Sequence, residues 1–273
     1  MLAKHRQSLI LQDVRRTGSA RVSDLTDRLG VSDMTIRRDL EVLARAGLIE
    51  KVHGGAVLPG VPSSHEPGFE AKSVLERPEK EAIARAAAAL VTPGTAIALS
   101  AGTTTFELAR QLREIPRLTI VTNSVRVANL LEDDRPAGGG GGPDLPAVIL
   151  TGGVRTPSDA LVGPIADLAI RSLHFDLLFL GCHGIDPVAG LTTPNLAESE
   201  TNRVFVRSAR RVMVIADHTK WGIVGLSSFA DLEEIDTLIT DSDMPPEARA
   251  LLSDRVSRLV ICDDVQIAGT AGR

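Results

Sequence analysis

The chain has 273 residues, a length that suits two domains of about 150 residues each. Its content of 43% hydrophobic and 24% charged residues is ordinary for a globular protein and excludes an intrinsically disordered one. The net charge of −5 is unevenly distributed, because residues 1–60 carry 10 Lys and Arg against 7 Asp and Glu. A slightly basic head therefore precedes an acidic body, an asymmetry that allows binding of a polyanion without establishing it.

Cysteine, apolar and aromatic content excludes several further classes. Cys182 and Cys262 have no CxxC or Cys/His spacing, so we expect no disulfide framework and no metal site, and we expect a cytoplasmic protein. No run approaches the roughly 18 apolar residues of a membrane helix, and residues 1–14 become charged too early for a signal peptide. Only 3% of residues are aromatic and none is tyrosine, which argues against a reader of single-stranded nucleic acid.

The first 45 residues predict three helices. Apolar spacing predicts the first over residues 3–17 and the second over 23–29, with Ser23 as its N-cap and Gly30 as its left-handed exit. The third follows at once, with Ser32 as its N-cap. A tight turn between the second and third helices is typical of a helix-turn-helix.

The third predicted helix has one apolar face and one face for a partner. Ile36, Leu40 and Leu43 share the buried face, and Arg38 lies about 200° from Ile36 at 100° per residue. Arg37 lies at about 100°, on the side. This arrangement favours a recognition helix in which Arg38 reaches base edges and Arg37 contacts phosphate. The alternative is that both arginines are solvated and pair with neighbouring acidic residues.

A short β-hairpin is predicted next, within "GLIEKVHGGAVL", residues 47–58. Two β-prone runs flank the turn at His53, and such a wing can lie along the DNA backbone. Lys51 and His53 are placed to contact phosphate, although His53 could equally be a turn residue without a ligand. The predicted DNA-binding residues are Ser32, Met34, Thr35, Arg37, Arg38, Lys51 and His53.

The segments "LTDRLGVSDM" and "TIRRDLEVLARAGLIEKVHGGAV" resemble the winged helix-turn-helix of the DeoR family of bacterial transcriptional regulators. The resemblance covers nearly all of residues 4–57 and implies binding to double-stranded operator DNA. Lys51 departs from the family pattern, in which arginine is more usual. It keeps the charge and loses the bidentate fork, so a phosphate contact is retained better than a base contact would be.

We expect a winged helix-turn-helix domain over residues 1–58, a proline-rich linker over 59–78 and an α/β domain over 79–273. In that last domain, short apolar strands alternate with helices, which predicts a mostly parallel, Rossmann-like sheet covered on both faces. The glycine-rich tract at 132–146 is expected to be a surface loop without a site.

The loops after the predicted strands are rich in Gly, Ser, Thr and Asn. In such a sheet ligands bind at the carboxyl ends of the strands, and the loop "SAGTTT", residues 100–105, offers glycine and hydroxyls at a helix N-terminus, a ready anion site. Singly, each loop could be only a capped helix or a closed turn. Together with Lys220 they favour a phosphorylated polyhydroxy ligand. No GxGxxG follows a strand and no P-loop occurs, so no nucleotide cofactor is expected.

The motifs "LSAGTTT", "IVTNS", "LTGG", "GCHGID", "GLTTPN" and "ADHTKWG" resemble the sugar-phosphate-sensing domain of the same regulators, which is similar to ribose-5-phosphate isomerase. The resemblance implies a phosphate cradle and further effector contacts in the loops. Ser100 departs from the family pattern, where an acidic residue is frequent, which affects selectivity for sugar hydroxyls more than phosphate binding. The predicted effector-binding residues are Ser100, Gly102, Thr103, Thr104, Thr105, Asn123, Gly152, Gly153, Gly184 and Lys220.

These features predict a transcriptional regulator, a repressor of a carbohydrate-utilisation operon, that responds to a phosphorylated sugar and has no catalytic residue. The alternative is a sugar-phosphate isomerase or deaminase with an accessory DNA-binding head, for which His183, Asp186 or the Glu198 and Glu200 pair would supply acid/base groups. We expect Glu198 and Glu200 to be exposed and Cys182 not to be a nucleophile. One helix-turn-helix reads few bases, so a homodimer or homotetramer is expected.

Overall fold

The structure is a computed structural model that describes residues 2–17, 19–52, 54–57, 66, 68–132 and 145–262. The chain divides into two compact units, Met1–His65 and Glu66–Arg273. Described residues of the predicted linker from Glu66 onward therefore belong to the second unit, whereas 59–65 and most of the glycine-rich tract lie outside the described residues. Within the described part, no helix combines the length and apolar character needed to cross a membrane.

The first unit is a winged helix-turn-helix with one core. Its elements are α1 (Ala3–Thr17), β1 (Ser19–Arg21), α2 (Val22–Leu29), α3 (Asp33–Arg45), β2 (Glu50–Val52) and β3 (Gly55–Val57). The strands form an antiparallel sheet in the order β1-β3-β2. Ile36, Leu40 and Leu43 are buried against Ile10 and Val14 of α1, which confirms the predicted apolar face of the third helix.

The ends of α2 and α3 differ in part from the sequence prediction. Gly30 ends α2 at φ 62°, as predicted, and its N–H donates to the Thr26 carbonyl. The prediction that Ser23 caps α2 is wrong, because β1 continues directly into the helix, which begins at Val22. The Ser23 hydroxyl donates a hydrogen bond to the Asp24 carboxylate instead. Ser32 occupies the N-cap position of α3, but its Oγ bonds the Thr35 hydroxyl rather than a backbone N–H.

The second unit alternates strands and helices around one large sheet. Its helices are α4 (Phe69–Ser73), α5 (Arg77–Ala88), α6 (Thr103–Leu112), α7 (Val125–Glu132), α8 (Pro164–Arg171), α9 (Leu196–Ser208) and α10 (Pro246–Arg255). Its strands are β4 (Ala96–Leu99), β5 (Thr119–Thr122), β6 (Ala147–Leu150), β7 (Val154–Arg155), β8 (Leu161–Val162), β9 (Leu177–Leu180), β10 (Gly184–Asp186), β11 (Gly190–Thr193), β12 (Val212–Ile215), β13 (Ser227–Ala230), β14 (Thr237–Asp241) and β15 (Leu259–Cys262). Seven strands pair in parallel in the order β15-β14-β12-β9-β4-β5-β6, which confirms the predicted parallel sheet.

Both faces of the central strands are buried, so these strands are continuous apolar runs, whereas the edge strand β6 is largely exposed. In β9, Leu178 and Leu180 join a core with α8, α9 and α10, whereas Leu177 and Phe179 join a second core with α5, α6 and α7. In chain order, the first strand of the large sheet is β4. The strands β5 and β6 are then added on one side of it, and β9 is added on the other side. The loops that leave β4 and β9 thus diverge, and in open α/β sheets ligands bind in the crevice at such a switch point.

Three small features of the second unit were not predicted. They are the short helix α4, the two-stranded β7-β8 pair and the antiparallel β10-β11-β13 sheet. Each of these elements is two to five residues long, too short for a periodic pattern to be recognised, and so depends on tertiary packing for its conformation.

Candidate nucleic-acid interface and ligand site

The start of α3 presents polar and apolar side chains to solvent. Ser32, Arg37 and Arg38 are exposed, Thr35 is half-buried, and Met34 is 79% exposed although it is apolar. Met34 and Arg38 lie on the side of the helix opposite to Ile36, and Thr35 and Arg37 flank them. The helix therefore has the exposed surface that a recognition helix needs.

The two arginines of α3 differ in their surroundings. Arg37 Nε lies 2.8 Å from Asp33 Oδ1, with both side chains 58% exposed, so for Arg37 the predicted acidic pairing is present. An exposed i, i+4 pair contributes only about 0.3–0.5 kcal/mol and is readily exchanged for a phosphate. Within the described part of the chain, Arg38 makes no hydrogen bond and no ion pair, so its guanidinium has all its donors available.

A buried ion pair that the sequence analysis missed fixes α3 to α1. Asp39 Oδ2 accepts a hydrogen bond from Arg6 Nε at 2.5 Å, and its Oδ1 accepts one from Gln7 Nε2 at 2.8 Å. Asp39 follows the two arginines but lies near the apolar face, about 60° from Ile36. An acidic residue at that angle was the available signal for this pair.

Of the two residues predicted to contact DNA from the wing, the structure describes one. Lys51 is exposed on β2, opposite Ala56 of β3. Arg45 mainly, and Lys51 to a smaller degree, lower the pKa of Glu41, so the wing lysine lies beside α3. His53 lies outside the described residues.

In the body, the N-terminus of α6 lies directly after β4 at the switch point. Gly102 is the N-cap and provides no side-chain cap, so the first backbone N–H groups of the helix, at Thr103 to Thr105, point towards the crevice end of the sheet. The Thr105 hydroxyl is fully buried and donates to the Gly102 carbonyl at 3.0 Å. Thr105 therefore shapes the turn, whereas the backbone N–H groups are suited to an anion.

Ser100 and Asn123 join the loops around the crevice. The Ser100 hydroxyl accepts a hydrogen bond from the Gly181 N–H at 3.2 Å, across the gap between β4 and β9. Asn123 Oδ1 accepts one from the Ala101 N–H at 2.8 Å, and its Nδ2 donates to the Leu161 carbonyl at 3.1 Å. Both side chains are about 2% exposed or less, so their position is that of loop supports.

The other three predicted glycines, apart from Gly102, have geometric roles in their loops. Gly152 and Gly153 have φ values of 74° and 123°, which favour glycine. A Cβ on Gly153 would lie 2.6 Å from the Val162 carbonyl oxygen, and one on Gly184 would lie 1.9 Å from that of Ile223. Gly184 therefore allows the segment just after Lys220 to approach β10.

Lys220 is brought to the same sheet edge by the short 3-10 turn His218–Lys220 after β12. Its Nζ lies 4.0 Å from Asp217 Oδ2, and its side chain is 26% exposed. Burial would raise the pKa of Asp217, but Lys220, Thr219 and Lys80 outweigh it and hold that pKa below its usual range. Lys80 and Lys72, which the sequence analysis did not select, thus approach this edge as well.

One group of described residues has the ligand atoms for a cation, namely His218, Asp241 and Asp243. The Asp241 oxygens, however, accept backbone hydrogen bonds from His218 at 2.7 Å and Asp243 at 3.0 Å. The carboxylate thereby holds in place the turn that carries Lys220.

The residues considered as acid/base groups or as a nucleophile have hydrogen bonds or burial that serve the fold. Asp186 Oδ1 accepts the N–H groups of Val188 and Ala189 in a turn. Burial raises the pKa of Cys182 to about 12, so its thiol is far from a reactive thiolate at neutral pH. The expected exposure of Glu198 is wrong: it is half-buried next to Lys72, and burial raises its pKa to about 7.

Comparison with known proteins agrees with this architecture. Residues 6–60 match the DeoR-like helix-turn-helix domain, and residues 76–242 match the DeoR C terminal sensor domain. A transcriptional regulator named GlpR from Haloferax volcanii is 39% identical over 91% of this chain and 94% of its own length. The glycerol-3-phosphate regulon repressor of Escherichia coli K12 is 31% identical over 96% of this chain and 100% of its own.

A solved structure of ribose 5-phosphate isomerase A from Methanocaldococcus jannaschii is 14% identical, with a TM-score of 0.35 over 52% of this chain and 53% of that one. The two domain matches, in chain order, agree with the winged helix-turn-helix and the seven-stranded parallel sheet. The chain therefore belongs to the DeoR family of transcriptional regulators.

Proposed function

We propose that the protein is a repressor of a carbohydrate-utilisation operon whose affinity for operator DNA is controlled by a phosphorylated sugar or polyol. The observation that carries this proposal is the uncapped N-terminus of α6 at the switch point, on the same sheet edge as Lys220. Backbone N–H groups and an ammonium are suited to a phosphate dianion. The name of the glycerol-3-phosphate regulon repressor supports a phosphorylated effector.

In this proposal the effector residues have two kinds of role. The backbone N–H groups of residues 102–105 and the Thr104 hydroxyl bind the phosphate, and Lys220 neutralises it. The remaining predicted residues hold the cradle in shape through the hydrogen bonds and close approaches described above: Ser100, Asn123, Gly152, Gly153 and Gly184.

On DNA, Arg38 is proposed to contact a base edge, because its guanidinium is exposed and makes no ion pair in the described part of the chain. Arg37 exchanges Asp33 for a phosphate, and Lys51 with His53 contacts the backbone from the wing. Ser32, Met34 and Thr35 line the same end of α3. We infer a homodimer or homotetramer from the symmetry of operators, and a cytoplasmic location where operator DNA is found.

The test is a thermal-shift screen of the full chain against glycerol 3-phosphate, ribose 5-phosphate and fructose 6-phosphate, each beside its unphosphorylated parent. We expect at least one phosphorylated compound to raise the unfolding temperature and to change protection of operator DNA in footprinting. If no phosphorylated compound changed the unfolding temperature or the DNA protection more than its unphosphorylated parent does, the proposed effector class would be wrong.

A further inference from the structure

The segment that precedes α5, although predicted to be part of the linker, packs against the proposed ligand site. We call the described residues Glu66 and Gly68–Leu75 the strap; they contain α4. Phe69 is 7% exposed, and its ring meets the Phe106 ring edge-on at 5.5 Å. Phe106 lies in the first turn of α6, so the strap contacts the helix whose N-terminus is the proposed phosphate cradle.

Buried hydrogen bonds fix the end of the strap nearest α5. The Lys80 ammonium donates to the Lys72 carbonyl at 2.7 Å and also to the Leu75 carbonyl. Lys80 is only 3% exposed, and burial lowers its pKa to about 8. Its donors therefore hold the last turn of α4 and are less available to a ligand.

Charged side chains fix the other end of the strap to the loops of the site. Glu66 accepts hydrogen bonds from the Ser158 N–H at 3.0 Å and from Asn195 Nδ2 at 2.9 Å. In addition, the Arg126 guanidinium of α7 lies 4.3 Å from the centre of the Phe69 ring and pairs with Glu70 at 2.8 Å. The strap is thus attached to α6, α7 and α9 together.

The side chain of Lys72 differs from that of Lys80 because it makes no hydrogen bond in the described part of the chain. It is half-buried, three residues after Phe69 and so on the same face of α4. Burial lowers the pKa of Lys72, the nearby Lys220 lowers it further, and Glu198 opposes them. Two lysines from distant segments therefore lie near each other, and the carboxyl beside them is only partly ionised at neutral pH.

We propose that Lys72 binds the anionic group of the effector together with Lys220, and that the strap transmits effector occupancy to residues 59–65, which precede it. The proposal rests on the proposed function. A bound anion would relieve the repulsion between the two ammonium groups and draw α4 towards the cradle. Since the strap directly follows residues 59–65, a change in its order acts on the chain that joins it to the DNA-binding head.

Trp221 provides the readout, because it is the single tryptophan of the chain and adjoins Lys220. In the experiment, the full chain is titrated with inorganic phosphate and with the three phosphorylated compounds of the thermal-shift panel, and the Trp221 fluorescence is followed. Lys72→Met is expected to weaken the binding of phosphorylated compounds roughly tenfold or more, since charge-assisted bonds are strong. Lys72→Arg, which keeps the charge, should remain within about threefold of wild type.

Arg77→Gln is the matched control. Arg77 lies just after the strap and is exposed, and its guanidinium pairs with Glu81, so the variant removes a charge away from the ligand site. It should bind like wild type. Equal affinity of Lys72→Met and wild type would overturn the role of Lys72 while leaving the proposed function intact. A wild-type protein that responds to none of the four anions, even at millimolar concentration, would overturn both.

Hydrogen exchange separates transmission from binding. We expect the effector to slow exchange of the backbone amides of α4 as well as those at the start of α6 in wild type. In Lys72→Met at saturating effector, only the α6 amides should be protected. Protection of α6 without any change in α4 of the wild type would overturn the strap as the transmitting element.

Discussion

Arg6 of α1 and Asp39 of α3 form an ion pair of 2.5 Å in which the side chains are 10% and 5% exposed. Arg37 and Arg38 immediately precede this aspartate, so their direction depends on how Asp39 is held. The family motif TIRRDL thus combines two exposed arginines with one buried carboxylate that joins two helices of the domain.

We expect Arg6→Met to destabilise the head by about 3–5 kcal/mol, because it leaves the Asp39 charge buried without its partner. The double variant Arg6→Met/Asp39→Leu should recover most of that loss, since apolar replacement of a buried pair is often neutral. Hydrogen exchange in α1 and α3 of the full chain measures both effects, and Trp221 fluorescence reports that the body is unaffected. A double variant no more stable than the single one would contradict this reasoning.

Arg38→Ala should weaken operator binding by about 1–3 kcal/mol and relax sequence preference, because a bidentate contact with guanine is worth that much. Arg37→Ala and Lys51→Ala serve as comparisons. Each should weaken operator and random DNA alike and reduce the salt slope by about one unit. Binding titrations at several salt concentrations distinguish the two behaviours. An unchanged ratio of operator to random-DNA affinity in Arg38→Ala would exclude Arg38 from base readout.

Lys220→Ala and Thr104→Ala should leave operator binding without effector within about twofold of wild type, because both residues lie in the body. Both variants should lose most of the effector response. In the wild type, the coupling free energy between effector binding and operator binding is expected to be about 1–3 kcal/mol. Operator titrations with and without the phosphorylated compound measure this coupling. Retention of the full response in both variants would refute the cradle.

The Cys182 thiol should resist alkylation. With its pKa raised to about 12 by burial, its thiolate fraction at pH 8 is about a thousandfold below that of an ordinary cysteine. A Cys262→Ala background leaves Cys182 as the single thiol, and its rate with iodoacetamide can be compared in native and urea-unfolded protein. A native rate equal to the unfolded rate would show that the thiol is accessible and reactive.

The stability of the body should depend on Glu198 as pH changes. Burial raises the pKa of Glu198 to about 7, with Lys72 opposing, Glu66 adding to the rise and a hydrogen bond to Thr193 lowering it. Between about pH 4.5 and pH 7 the folded protein keeps a proton that the unfolded chain has released, so Glu198 makes the free energy of unfolding fall as pH rises.

Glu198→Gln removes this dependence and should therefore unfold at a higher temperature than wild type at pH 8, with the difference vanishing near pH 4.5. Glu200→Gln, on the same helix with its side chain 46% exposed, is the control and should show no such trend. A difference between Glu198→Gln and wild type that stayed constant over this range would contradict the assigned pKa.

The sequence by itself determined the order of the two domains, the third helix with its exposed arginines, the parallel sheet and the polar loops at its carboxyl edge. These features have local causes: helical or strand periodicity over several residues, glycine at left-handed ends, and the rule that parallel strands end at one edge. Gly30 and the apolar face through Ile36 show how directly such patterns become structure.

The tertiary structure alone decided which polar side chains meet. Arg6 and Asp39 are 33 residues apart, and Glu66 and Asn195 are 129 apart, so no local pattern couples them. Lys72 lay in a segment whose prolines indicated a linker, yet burial of Phe69 against Phe106 orders it beside Lys220. Long-range packing sets the environment of each charge, and with it the pKa and the ligand chemistry, which a linear pattern does not contain.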